Sequence, residues 1–203
     1  MDNLVISLIV GFLAAFIGAV IGSKAMSSGH YRYAQKRDFE TKSSQMINLF
    51  QALNAELTAI WERYMAVVGT DLEKVQKPDE LPFTVLFSAT HNYFSVYDNS
   101  AQFLGALEPE AGKKIIETYI NLKSLLDELQ NYNEMAQKHR DTRLGANLNL
   151  YEVNQVREEL DSFFKLLKKR HAQVKGQCLL TLEMFKEFLS LAEQSRTSVK
   201  IKV

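Results

Sequence analysis

LVISLIVGFLAAFIGAVI, residues Leu4 to Ile21, runs eighteen positions without a charge, and Ser7 is its only polar side chain. A helix needs about 20 mainly apolar residues to cross a hydrocarbon core, and with Gly22 this run nearly supplies them. No other run in the chain approaches it. The expected architecture is therefore one N-terminal membrane span with everything else hung from it.

A cleavable signal would carry a basic segment, a shorter apolar core and a small-x-small cleavage site. Here the only charge before the run is Asp2, and the exit Gly22-Ser23-Lys24-Ala25 is a poor cleavage site, which favours a retained anchor. Lys24, Arg32, Lys36 and Arg37 all follow the run and no basic residue precedes it. By the positive-inside rule the bulk of the chain is expected in the cytoplasm and a very short N-terminus outside. In a bacterium that places the protein in the inner membrane. With His30 these residues form a basic collar within reach of lipid headgroups. It could attract anionic lipid at about 1 kcal/mol per basic residue, or serve only to fix topology.

Within the run, Gly11, Ala15, Gly18 and Gly22 follow offsets of four, three and four and share one helical face. Small residues let helices approach closely in lipid, so this stripe is a candidate oligomerisation surface. The alternative is that Gly and Ala are simply common in spans.

The remaining chain is long enough for one domain with a core. Lys plus Arg and Asp plus Glu number 24 each, so no global field favours nucleic acid. Three prolines and nine glycines leave a composition that favours helix. A single cysteine, Cys178, excludes an intrachain disulfide and fits a reducing compartment.

After a polar hinge, Ser23 to Gly29, the apolar positions turn helical from about Tyr31 to Val68: Met46, Leu49, Phe50, Leu53, Leu57, Ile60, Trp61, Tyr64 and Val67. Gly69 is the expected stop. Thr70 to Pro82 reads as a loop and Phe83 to Leu107 as a shorter, aromatic helix, broken near Ser88 to Asn92 and packed into the bundle. Pro109 suits the first turn of the next helix, whose expected face is Ile115, Ile116, Tyr119, Leu122, Leu126, Leu129 and Tyr132, running to about Gln137. His139 to Asn147 reads as a polar loop. Asn149 and Glu152 resemble a capping box. Beyond them Val153, Val156, Leu160, Phe163, Leu167, Val174, Cys178, Leu182, Phe185 and Phe188 form one long stripe that must tolerate Gly176. Val199, Ile201 and Val203 alternate with lysines, as in a short strand, although a frayed tail is the simpler reading.

The fold class expected is all-α: one transmembrane helix followed by a cytosolic antiparallel bundle of about four helices. Its parts are an anchor and hinge over 1–29, the bundle over 30–194 and a tail over 195–203.

No catalytic motif is present. The four histidines lack a second metal ligand at i+3 or i+4, and there is no nucleophile elbow, phosphate-binding loop or dinucleotide fingerprint. Cys178 falls on an apolar face and is expected to be a buried thiol. No metal and no cofactor are expected. The one cluster above background is Lys165, Lys168, Lys169, Arg170, His171 and Lys175, with His171 nearest the core stripe. It could receive a phosphate-rich ligand, nucleic acid or nucleotide, or be a solvated basic face that pairs with Glu158 and Glu159 or with a neighbouring helix. The lack of interleaved aromatics weakens the nucleic-acid reading.

The run YFSVYDNSAQFLGALEPEAGKKIIETYINLKSLL, 93–126, resembles a pattern in small bacterial single-pass proteins. Its carriers are Tyr97, Leu104-Gly105, Leu107, Ile115-Ile116, Tyr119 and Leu122. Together with the span, the layout is similar to membrane accessory and effector proteins of anti-phage systems, CRISPR-linked ones included. The resemblance implies a non-enzymatic protein that oligomerises through its span, acts at the membrane, as a pore for instance, and senses a ligand or partner through a helical domain. The alternative is a passive tether recruiting a cytosolic partner. The Arg/His signature of HEPN-type RNases is missing, since Arg170 and His171 are adjacent, and no functional residue is carried over.

Overall fold

The computed structural model describes residues 29–78, 81, 92–144 and 150–200. Every element is helical, and no strand occurs among the described residues. The expected span, its stripe Gly11, Ala15, Gly18 and Gly22, and Lys24 of the collar lie outside them. Among the described residues no helix is long and apolar enough to cross a membrane.

Helix α1, Gly29–Tyr64, carries Arg32 and Lys36 of the collar, and Arg37 is exposed. Thr41, Lys42, Ser44 and Gln45 are exposed too, so the early part of α1 presents a polar surface. From Ile47 onward the helix buries Phe50, Leu53, Leu57, Ile60, Trp61 and Tyr64, the three-and-four spacing of an amphipathic helix. Met46 and Leu49, expected in the core, are only half-buried; Ile47 takes the inner position.

Gly69 does not stop the chain. Helical backbone continues through a π turn, Met65–Gly69, into α2, Thr70–Lys74, where a loop was expected. Gly69 has ordinary helical angles, φ −60° and ψ −41°, so it is not a left-handed cap. The widened turn carries burial from Tyr64 to Val68 to Leu72, leaving Val67 half-buried. Extended backbone at Val75 ends α2.

Two short helices, α3 (Ser95–Asp98) and α4 (Ala101–Leu104), occupy the described part of the expected aromatic helix. Phe94, Leu104 and Leu107 are buried there, in line with a core role, while Phe83 and Phe87 lie outside the described residues. Helix α5 spans Pro109–Leu144. Pro109 fills its first position, and the Glu108 carboxylate accepts the Ala111 amide at 3.1 Å, an N-cap. Its inner face is Ile115, Thr118, Tyr119, Leu122, Leu125, Leu129 and Tyr132. Of the expected stripe, Ile116 is exposed and Leu126 half-buried, while Ile115, Tyr119, Leu122, Leu129 and Tyr132 are buried as expected. The polar loop expected from His139 is helical to Leu144, and His139 is buried.

Helix α6, Leu150–Lys200, passes through Gly176 without a break. It buries Leu160, Phe164, Leu167, His171, Val174, Cys178, Leu182 and Phe185. Phe164, rather than Phe163, is the inner aromatic, and Val153 and Val156 are half-buried. Backbone at Val199 and Lys200 is helical, so the alternating pattern makes no strand there, and helix continues past the expected boundary at 194.

The helices form two compact units. One holds the described residues within Met1–Glu56, Phe94–Ile115 and Thr181–Val203. In it the Phe50 ring stacks on Phe188 at 4.1 Å and meets Phe185 edge-on at 5.5 Å. Glu56 on α1 accepts the amides of Val96 and Tyr97 at 2.7 and 3.1 Å, capping α3 from a distant part of the chain. The other unit holds the described residues within Leu57–Tyr93 and Ile116–Leu180. There Asn121 meets Gln177, Glu128 meets Arg170 and Tyr132 meets Phe164. The partner number falls as the first rises, so α5 and α6 run antiparallel in this unit.

Candidate functional site

The second unit contains a polar chain centred on the buried His171, which runs from the buried Tyr64 out to the exposed Glu73 and half-exposed Lys175. Tyr64 ends α1, Glu73 lies on α2, and His171 and Lys175 sit one turn apart on α6. The Tyr64 hydroxyl lies 2.7 Å from His171 Nδ1. On the other side of the ring, Nε2 lies 3.0 Å from Glu73 Oε1, which also accepts Lys175 Nζ at 2.6 Å. Trp61 and Tyr64 flank the imidazole, with ring centroids 6.2 and 5.6 Å away.

The partners assign the protons. An ionised Glu73 can only accept, so Nε2 carries hydrogen. Nδ1 is then the lone-pair nitrogen and accepts the Tyr64 O–H. Lys175 and His171 hydrogen bonds hold the Glu73 carboxyl below its ordinary value. Burial pushes the Tyr64 phenol up, with the Glu73 charge adding to it, so the hydroxyl keeps its proton. For His171, burial favours the neutral ring and the Glu73 charge opposes it. Burial wins, and the imidazole lies below the usual histidine range. Tyr64 is fully buried and His171 is 3 % exposed, so a dissolved substrate cannot reach either reacting atom. This geometry fixes a neutral tautomer and ties three helices together; it does not present a general base.

Of the expected basic cluster, four members turn inward or sideways. Lys168 Nζ donates to the Val75 carbonyl at 2.6 Å and sits 5.7 Å from the Phe164 ring centre. Arg170 Nε donates to Glu128 at 3.1 Å. His171 and Lys175 converge on Glu73. Lys165 and Lys169 are exposed. Arg170, His171 and Lys175 thus meet side chains of neighbouring helices, and Lys168 meets backbone just beyond α2. Tyr132 completes the frame by donating its hydroxyl to the Pro78 carbonyl at 2.7 Å.

Cys178 is fully buried and burial pushes its thiol up to about 12, as an inert core sulfur requires. His139 is buried on α5, and its Nε2 has no hydrogen-bond partner among the described residues. No group of three or more His, Cys, Asp or Glu residues that could hold a metal occurs among the described residues.

Sequence reading placed His171 near the core but missed Tyr64 and Glu73 as its partners. They lie 107 and 98 positions away, and no local spacing signals a pairing of that range.

The chain matches no family model, no curated protein and no solved structure.

Proposed function

We propose that this protein is a membrane-anchored, homo-oligomeric and non-enzymatic helical protein, whose cytosolic domain senses a ligand or partner and whose assembled spans act on the bilayer. The observation that carries this reading is continuity. The uncharged run Leu4–Ile21 is followed, after a hinge of only seven residues, by a single unbroken helix from Gly29 to Tyr64. That helix exposes Arg37, Thr41, Lys42, Ser44 and Gln45 and ends at Tyr64 of the His171 cluster. The cluster and the segment that leads toward the span therefore share one helix. The small-residue stripe Gly11, Ala15, Gly18 and Gly22 is the surface through which spans would associate. Anti-phage defence, the setting of the proteins whose layout this chain resembles, is the biological role that fits such a device.

The test is made on the full chain in liposomes and in detergent. Oligomers in detergent and dye leakage from liposomes, both lost when Gly11 and Gly18 become Leu, are the expected result. A strictly monomeric protein that leaves liposomes sealed would sink the proposal. A passive tether, the competing reading, predicts that an unrelated all-Leu span preserves activity. Recovery of the chain in the soluble fraction removes both.

A further inference from the structure

One imidazole clamps the chain at two points nine residues apart. Tyr64, at the end of α1, holds Nδ1, and Glu73, on α2, holds Nε2. Everything between them, including the π turn Met65–Gly69, is bracketed by a single side chain of α6. π turns are rare and depend on their surroundings. This one follows directly on Tyr64, whose hydrogen bond to Nδ1 needs a neutral ring, whereas Nε2 donates to Glu73 whether the ring is neutral or charged.

We propose that His171 is a protonation-controlled latch, which holds Tyr64 and the π turn Met65–Gly69 in place while the ring is neutral and loosens them on acidification, with Glu73 still held. The step is a proton transfer from water to Nδ1. Nδ1 then donates instead of accepting, and Tyr64 must turn its own O–H away inside a site where it is fully buried. The phenolic proton stays on Tyr64, and Glu73 stays ionised. Facing the ring are Tyr64 from α1, Glu73 from α2, and Lys168 and Lys175 from α6 itself. Cys178, one turn further, bears on Tyr64. From α5, Glu128 pairs with Arg170, the residue before His171. Glu73 favours the charged ring; burial, the two lysines and the loss of an acceptor for Tyr64 oppose it. The latch is therefore closed at neutral pH and opens below the ordinary histidine range. This inference does not depend on membrane anchoring, since every group in it lies within Leu57–Tyr93 and Ile116–Leu180.

Hydrogen exchange on the full chain tests it, with rates corrected for intrinsic chemistry. Between about pH 7.5 and pH 5, protection of amides 66–69 is expected to fall about tenfold for each unit by which the site lowers the His171 pKa. Protection in Leu122–Leu129 should hold. His171→Gln presents an oxygen to Tyr64 and an N–H to Glu73 without titrating, and should abolish the step. An unchanged step in that variant, or no step in the wild type, overturns the latch. If the variant does not fold, imidazole nitrogen resonances of the wild type decide. A bare Nδ1 at neutral pH, titrating below the usual histidine value, is required. A protonated Nδ1 at neutral pH, or an ordinary midpoint, overturns it.

Discussion

At Gly69 a methyl group would stand 2.5 Å from Met65 Sδ and 2.9 Å from the Tyr64 ring. The thioether can swing aside, but the ring is held between Trp61 and His171. Gly69→Ala is therefore expected to destabilise by about 1–3 kcal/mol, the range for overpacking a filled site, read as a lower urea midpoint. Gly176 has the opposite character: it is exposed, and an added methyl meets nothing within 4 Å. Gly176→Ala should stabilise the protein by about 0.5–1 kcal/mol through helix propensity alone, read as a raised Tm. Two glycines in helical backbone thus differ in sign because one makes room for a neighbour and the other only weakens its helix.

At the scale of elements, the long helices were legible because their apolar residues recur every three or four positions. Phe50, Leu53, Leu57, Tyr119, Leu122, Leu167 and Phe185 sit inward as their spacing requires. What was not legible has physical causes. Gly69 reads as a terminator because its usual role depends on a positive φ, whereas here its use is steric. The segment Thr70–Lys74 reads as a loop because it is polar, yet Leu72 is fully buried and Glu73 is recruited by His171. His139 reads as loop for the same reason, although α5 carries it into a buried position. Leu125 and Thr118 displace Leu126 and Ile116 because a period of 3.6 drifts against any integer spacing. Of the candidate site, only the location of His171 near the core could be read, since its partners arrive through tertiary contacts.

At the scale of the molecule, two groups among the described residues set the sign of the pH dependence on the acid side. His171 in the folded protein lies below its unfolded value of 6.5, and Glu73 lies below 4.5. In both cases the unfolded chain binds protons more readily, so acid favours unfolding. The His171 contribution is complete above pH 6.5 and is lost as pH falls toward its depressed folded value. The Glu73 contribution is complete above 4.5 and is lost below it. Urea midpoints should therefore decline in two limbs on acidification, and His171→Gln should remove the upper limb while leaving the lower one. A midpoint that rises on going below pH 6.5 would contradict this assignment.

The carboxylate of Glu56 reaches amides forty and forty-one positions away to cap a helix of four residues. A helix that short does not outlast its own nucleation cost in water. Its first turn therefore waits for α1 to form and for the intervening chain to close on it, which is the slow kind of contact. Seen in time rather than in space, Ser95–Asp98 is a late arrival whose order is borrowed from α1. Weakening Glu56 should then speed unfolding of the protein while leaving its folding rate nearly untouched.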